Sequence, residues 1–148
     1  MAQLAQLNVA RMLYPESDER MAGFFNRLDE INALAEAAPG FVWRFVSENN
    51  NATSLRPFPD DQIIVNMSVW QDVDALYAYT YRSGHASVFK YRKQWFEMPD
   101  EAHHVMWWVE DGVRPTVEQA KERLLHLREH GPTPFAFTFK QRFELSEQ

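Results

Sequence analysis

The chain has 148 residues, a length that suits one domain, and its 45% hydrophobic and 24% charged composition is that of an ordinary globular protein. Acidic side chains outnumber basic ones 21 to 15, for a formal charge of −6, and no stretch gathers four Lys or Arg, so nucleic acid and an anionic membrane surface are poor partners. There is no cysteine, which removes disulfides, thiolate metal sites and a cysteine nucleophile.

The opening MAQLAQLNVARM has neither the basic segment nor the apolar core of a secretory signal. No apolar run reaches the roughly 18 residues that span a bilayer, and a soluble cytoplasmic protein is expected. Residues 3–12 alternate, with Leu7 and Val9 on one side and Gln6, Asn8 and Ala10 on the other, the period of a half-buried strand. Tyr14-Pro15 breaks the pattern, Ser17 is placed to cap a helix, and apolar residues such as Met21, Phe24, Leu28, Ile31 and Ala35 recur at helical spacing up to about Ala37, with Glu30, Asn32 and Glu36 opposite. Pro39-Gly40 stops it. Residues 41–47 read as a second strand and residues 48–60, with three consecutive Asn and two Pro, as a loop.

Residues 62–70 alternate again, Ile63, Val65, Met67 and Val69 against Asn66, Ser68 and Trp70. Asp72 caps a helix starting near Val73; Ser83-Gly84 interrupts it before a second helical stretch to about Phe96, and Pro99 ends the region. Residues 103–110 form a fourth strand. Thr116-Val117-Glu118-Gln119 is a capping box, and its helix closes at Gly131-Pro132. Phe135, Phe137 and Phe139 occupy every second position of the tail, as a fifth short strand or as an arm on another surface.

The order β-α-β-β-α-β, then a helix and an arm, is the α+β ferredoxin-like unit in a single domain, residues 1–148. Its two helices cover one face of the sheet, and the other face needs a partner. Strand parity, with Leu7, Val65, Met67, Val69, Val105 and Val109 facing the helices, sends Asn8, Asn66, Ser68, Trp70, His104, Met106 and Trp108 to the open face, with Trp43 and Phe45 joining them. Aromatics with a few convergent polar groups are the usual lining of a small-molecule site, and equally of a subunit interface.

The strand Asn66-x-Ser68-x-Trp70, followed by Asp72-x-x-Ala75-Leu76 and Tyr81-Arg82-Ser83-Gly84-His85, resembles the antibiotic-biosynthesis-monooxygenase-like members of the dimeric α+β barrel superfamily. The whole chain, from LAQLNVAR through WWVEDGVRPTVEQA and EHGPTPFAFTF, is closer still to the DUF3291 branch of that superfamily. The resemblance implies a homodimeric barrel in which Asn66 and Trp70 hold the oxygens of a phenolic or quinol substrate, whose anion reacts with dioxygen without metal or flavin. A Ser-x-His recurs there, which makes His85 the candidate proton carrier. Asn8, Trp43, Ser68, Tyr81, His104 and Trp108 would line the substrate. The alternative roles are structural: Asn66 satisfying a bulge or subunit contact, and His85 bracing a helix bend.

A metal site is not expected. His103 and His104 are strand neighbours and point to opposite faces, and His126 and His130 lack the Glu of an HExxH motif. Haem-degrading relatives use a first-strand Asn, which Asn8 matches, but Tyr79 or Thr80 stands where their Trp falls and Lys90 or a neighbour where their iron-binding His falls. The functional expectation is a cofactor-independent, monooxygenase-like enzyme or isomerase acting on a hydrophobic aromatic or polyketide-like molecule. A non-catalytic binder of a hydrophobic ligand or haem, and a structural dimer without a pocket, are the alternatives.

Overall fold

Four strands, β1 (Ala2–Arg11), β2 (Phe41–Arg44), β3 (Ile63–Trp70) and β4 (His104–Glu110), pair into one antiparallel sheet in the order β2-β3-β1-β4. The computed structural model describes residues 2–15, 17–45, 63–82, 94–97 and 102–139. Among the described residues three helices, α1 (Ala22–Ala37), α2 (Val73–Arg82) and α3 (Val117–His130), accompany the sheet in a ferredoxin-like α+β architecture. None of them is long and apolar enough to cross a membrane.

The helix starts result from local polar chemistry. Asp18, rather than Ser17, opens the first helical segment: its Oδ1 accepts the Arg20 backbone N–H at 2.9 Å, and one 3-10 turn, Glu19–Met21, leads into α1. Asp72 Oδ1 accepts from the Ala75 N–H at 2.8 Å at the head of α2. Thr116 and Gln119 form the reciprocal capping box of α3, and Gly131, at φ 76°, ends it.

Both faces of the sheet are covered by the chain itself. Ala5, Leu7, Val9, Val65, Met67, Val69, Val105 and Trp107 pack beneath the Ala120, Leu124 and Leu127 stripe of α3. Leu4, Trp70 and Met106 pack on the opposite face with Ala35 of α1 and with Val73 and Leu76 of α2. Two sequence expectations are corrected here. The face away from α1 and α2 is covered by α3, and the Asn66-Ser68-Trp70 face, expected to be that open face, lies under α1 and α2. Alternation dictates which residues share a face; it does not say which helix lands there, and the apolar stripe of α3 competes for the smooth β-branched side.

Strand β2 also departs from its expected parity. Phe41 stands opposite Trp70, but Trp43 stands opposite Val69 and Arg44 opposite Ser68, so the strand bulges between Phe41 and Trp43. The extra residue inverts the parity of the positions after it. Trp43 and Phe45 therefore pack on the α3 face, and Arg44 takes the place expected for Trp43.

The described part of the tail is an arm bridged to the sheet at Phe137. Met106 and Phe137 exchange both backbone hydrogen bonds, at 2.9 and 3.0 Å, which satisfies part of the outer edge of β4. Arg123 of α3 fixes the start of the arm, donating from Nη1 to the Phe135 carbonyl at 2.9 Å with its guanidinium over the Phe135 ring.

Candidate functional site

Cross-strand register sorts the face under α1 and α2 into rows. Trp108, Leu4, Trp70 and Phe41 form one row; Met106, Gln6, Ser68 and Arg44 the next; His104, Asn8 and Asn66 the third. Beyond them Met12 and Ile64 lie in a separate apolar cluster with Met21 and Trp95. A polar belt thus crosses three strands between two apolar clusters. Asn8 and Asn66 are exposed in the middle of the sheet on a face that helices cover elsewhere, so the belt opens to solvent at these two residues.

Gln6 holds the belt together. It is only 4% exposed, and its Nε2 donates to Asn66 Oδ1 at 3.0 Å and to Ser68 Oγ at 2.8 Å. Its Oε1 lies 3.1 Å from His104 Nε2. A carbonyl oxygen only accepts, so this contact requires the Nε2–H tautomer of His104, with the Nδ1 lone pair left as the basic position. Asn66 is oriented in the same way: with Oδ1 committed to Gln6, its amide hydrogens turn elsewhere.

Burial, helped by the neighbouring His103, pushes the His104 pKa down to about 4 from an ordinary 6.5. The folded chain keeps this imidazole neutral in a range where the unfolded chain protonates it. The resulting stability is complete above about pH 6.5 and is lost as pH falls toward 4, by up to about 3 kcal/mol. Urea unfolding at pH 7.5 and 4.5 checks this, with the His104→Gln variant expected to lose the difference. An unchanged pH dependence in that variant would count against it.

Trp70 is 1% exposed and donates its indole N–H to Ser68 Oγ at 2.8 Å. Its ring stacks on Tyr79, centroids 5.0 Å apart, and Tyr79 in turn donates its hydroxyl to the Ile31 carbonyl at 3.1 Å. The indole hydrogen is therefore already used inside the protein. Ser68 Oγ accepts from both Gln6 and Trp70, which occupies its two lone pairs and leaves its hydrogen to give.

An aromatic rim borders the belt. Phe139 stacks on His104 with centroids 5.3 Å apart, and Tyr77 and Tyr81, one helical turn apart on α2, meet its edges. The structure thus gathers Asn8, Asn66, Ser68, Trp70, His104 and Trp108 on one face and brings Tyr81 to its border through Phe139. Trp43 is on the other side of the sheet. His85 lies outside the described residues.

Three contributors are not among the site residues expected from the sequence. Gln6 shares the parity of Asn8, which was visible, but its role depends on register with β3 and β4. Arg44 was hidden by the bulge, and Phe139 by the unknown course of the tail. Among the described residues no group of three or more His, Asp or Glu is placed to hold a metal ion. An iron-ligand role for His104 through Nε2 would break its contact with Gln6.

A four-stranded antiparallel sheet with α1 and α2 on one face gives the chain a ferredoxin-like α+β fold, and the polar belt lies between the two layers. The chain belongs to the DUF3291 family, a domain of unknown function, whose sequence profile matches residues 3–148. No curated protein matches it in sequence. In fold it is similar to SnoaB, a cofactor-independent oxygenase from Streptomyces nogalater, at 19% identity and a TM-score of 0.52 over 79% of this chain and 98% of that one. It is also similar to a conserved protein from Methanosarcina mazei Go1, at 14% identity and 0.52 over 74% and 93% of the two chains. The NE2512 protein of unknown function from Nitrosomonas europaea gives 16% identity and 0.50 over 78% and 95%. At these identities the likeness concerns the fold.

Proposed function

We propose that the belt is the active site of a cofactor-independent enzyme, monooxygenase-like or an isomerase, acting on a hydrophobic aromatic or polyketide-like molecule. The observation that carries the reading is a connected set of oriented polar groups between two apolar clusters, open at Asn8 and Asn66. A planar apolar body suits the clusters and the aromatic rim, and its hydroxyl or carbonyl oxygen suits the belt. The fold likeness to SnoaB supports the reading at the level of class.

In this proposal Asn66 donates from its amide to a developing oxyanion, since its oxygen is held by Gln6. Ser68 offers its hydroxyl hydrogen to the same region. Trp70 acts by positioning Ser68 and by closing the apolar end of the site. His85 moves the proton, and the neutral His104 accepts a hydrogen bond at Nδ1. Asn8, Tyr81 and Trp108 contact the substrate. The homodimer expected from the resemblance belongs to the same proposal, and α3 must then join its interface or leave the sheet, because the face a partner would cover is filled.

Oxygen uptake and product analysis with a panel of phenols, hydroquinones and enolisable aromatic ketones test the reaction. Asn66→Ala is expected to lower turnover of an active substrate by about 100-fold, the usual cost of removing an oxyanion donor. Full activity in that variant would refute the assignment of Asn66. Binding without oxygen uptake or rearrangement across the panel would indicate a ligand-holding protein instead.

A further inference from the structure

We propose that Arg44 and Ser68 form a subsite for an anionic oxygen, and that the molecule bound in the belt is an aromatic carboxylic acid. The inference rests on the proposed function only in placing the ligand on this face of the sheet. Arg44 stands opposite Ser68 across β2 and β3, on the face of the belt. Its side chain is 11% exposed. Its buried Nε makes no hydrogen bond; among the described residues it is ion-paired with Glu36 of α1, whose Oε2 lies 3.4 Å from Nε and whose side chain is 53% exposed.

A guanidinium withdrawn from water is costly unless it is both paired and hydrogen-bonded, and a half-solvated carboxylate outside hydrogen-bonding geometry achieves only part of that. Ser68, across from it, has both lone pairs engaged and can only donate. Two neighbouring positions on one sheet face therefore present donors and no acceptor. The complementary group accepts only and carries negative charge, which describes a carboxylate; the planar guanidinium fork matches its two oxygens. A phenol, neutral at pH 7, would not repay the burial of the cation. The net charge of −6 makes a buried cation at this position a local feature, not part of a generally basic surface.

The test uses the full-length protein and two matched probes, 1-hydroxy-2-naphthoate and 1-hydroxy-2-naphthamide, titrated by calorimetry. The wild type is expected to bind the carboxylate about tenfold or more tightly than the amide, as a charge-assisted bidentate pair requires. Arg44→Gln should reduce the carboxylate to the level of the amide. Glu36→Gln changes an exposed residue and removes the competing acid, so it should tighten carboxylate binding. Equal affinities in the wild type, no binding of either probe, or equal losses for both probes in Arg44→Gln would overturn the subsite. Oxygen uptake with uncharged phenols separates the two proposals: turnover without a carboxylate preference sinks the subsite alone, and a carboxylate preference without turnover of any substrate sinks the reaction alone.

Discussion

Replacing Gln6 with alanine is expected to destabilise the fold by about 2–4 kcal/mol and to abolish most of any activity, because one buried side chain serves three polar partners. The amide of Gln6 donates to Asn66 and Ser68 and accepts from His104. Truncation leaves the His104 Nε2–H with no acceptor, releases the orientation of the Asn66 amide, and opens a void in the centre of the sheet. Ser68 keeps its bond from Trp70, so the damage should concentrate on the Asn8-Asn66-His104 row. Gln6→Glu separates hydrogen bonding from volume. A carboxylate beside His104 favours the imidazolium, so the His104 pKa should rise from about 4 toward the ordinary range. Urea unfolding and NMR titration of the imidazole read these effects. A Gln6→Ala protein as stable as the wild type would show that the belt is not held as described.

Gly40→Ala is the second large effect, and it acts through the backbone. Gly40 sits at φ +83° in the turn from α1 to β2, and a Cβ added there would meet the Ala75 Cβ of α2 at 2.5 Å. Its carbonyl accepts from the Gln71 N–H at 2.8 Å, tying this turn to the one between β3 and α2. The left-handed conformation costs an alanine about 1–2 kcal/mol, and the steric overlap adds about 1–3 kcal/mol. Gly112 provides the control: it has φ +85° with nothing within 4 Å of an added Cβ. Gly112→Ala should lose only the backbone part, and Ala75→Gly in the Gly40→Ala background should recover the steric part. Equal losses at the two glycines would contradict the close approach of α2. Since α2 carries Tyr77, Tyr79 and Tyr81, a displaced α2 would also disturb the rim of the site.

Much of the fold was legible because its signals are local. Alternation in residues 3–12, 62–70 and 103–110 marks strands, and Asp72, Thr116 with Gln119, and Gly131 mark helix ends, each through chemistry confined to a few residues. Strand parity also grouped Asn8, Asn66, Ser68, Trp70, His104 and Trp108 correctly on one face. The choice of covering helix was not legible, because it depends on competition between α3 and α1 with α2 for two apolar surfaces. Neither was the bulge in β2: Val42 and Trp43 are both apolar, so one extra residue leaves no mark in the hydrophobic pattern, yet it exchanges Trp43 for Arg44 at the site. The role of Gln6 is a property of register across three strands, and no single segment contains it.

A ligand entering between the sheet and α1 with α2, at the row of Asn8, Asn66 and His104, is the centre of the functional proposal. An NMR titration with 1-naphthol, following side-chain amides, indoles and imidazoles, addresses it most directly. Shifts are expected to centre on the Gln6, Asn8 and Asn66 amides and the His104 ring, with Trp43 and Trp107 unmoved. Shifts centred on Trp43, Trp107 and α3, with Asn66 and His104 silent, would place the ligand on the opposite face and contradict the proposed site.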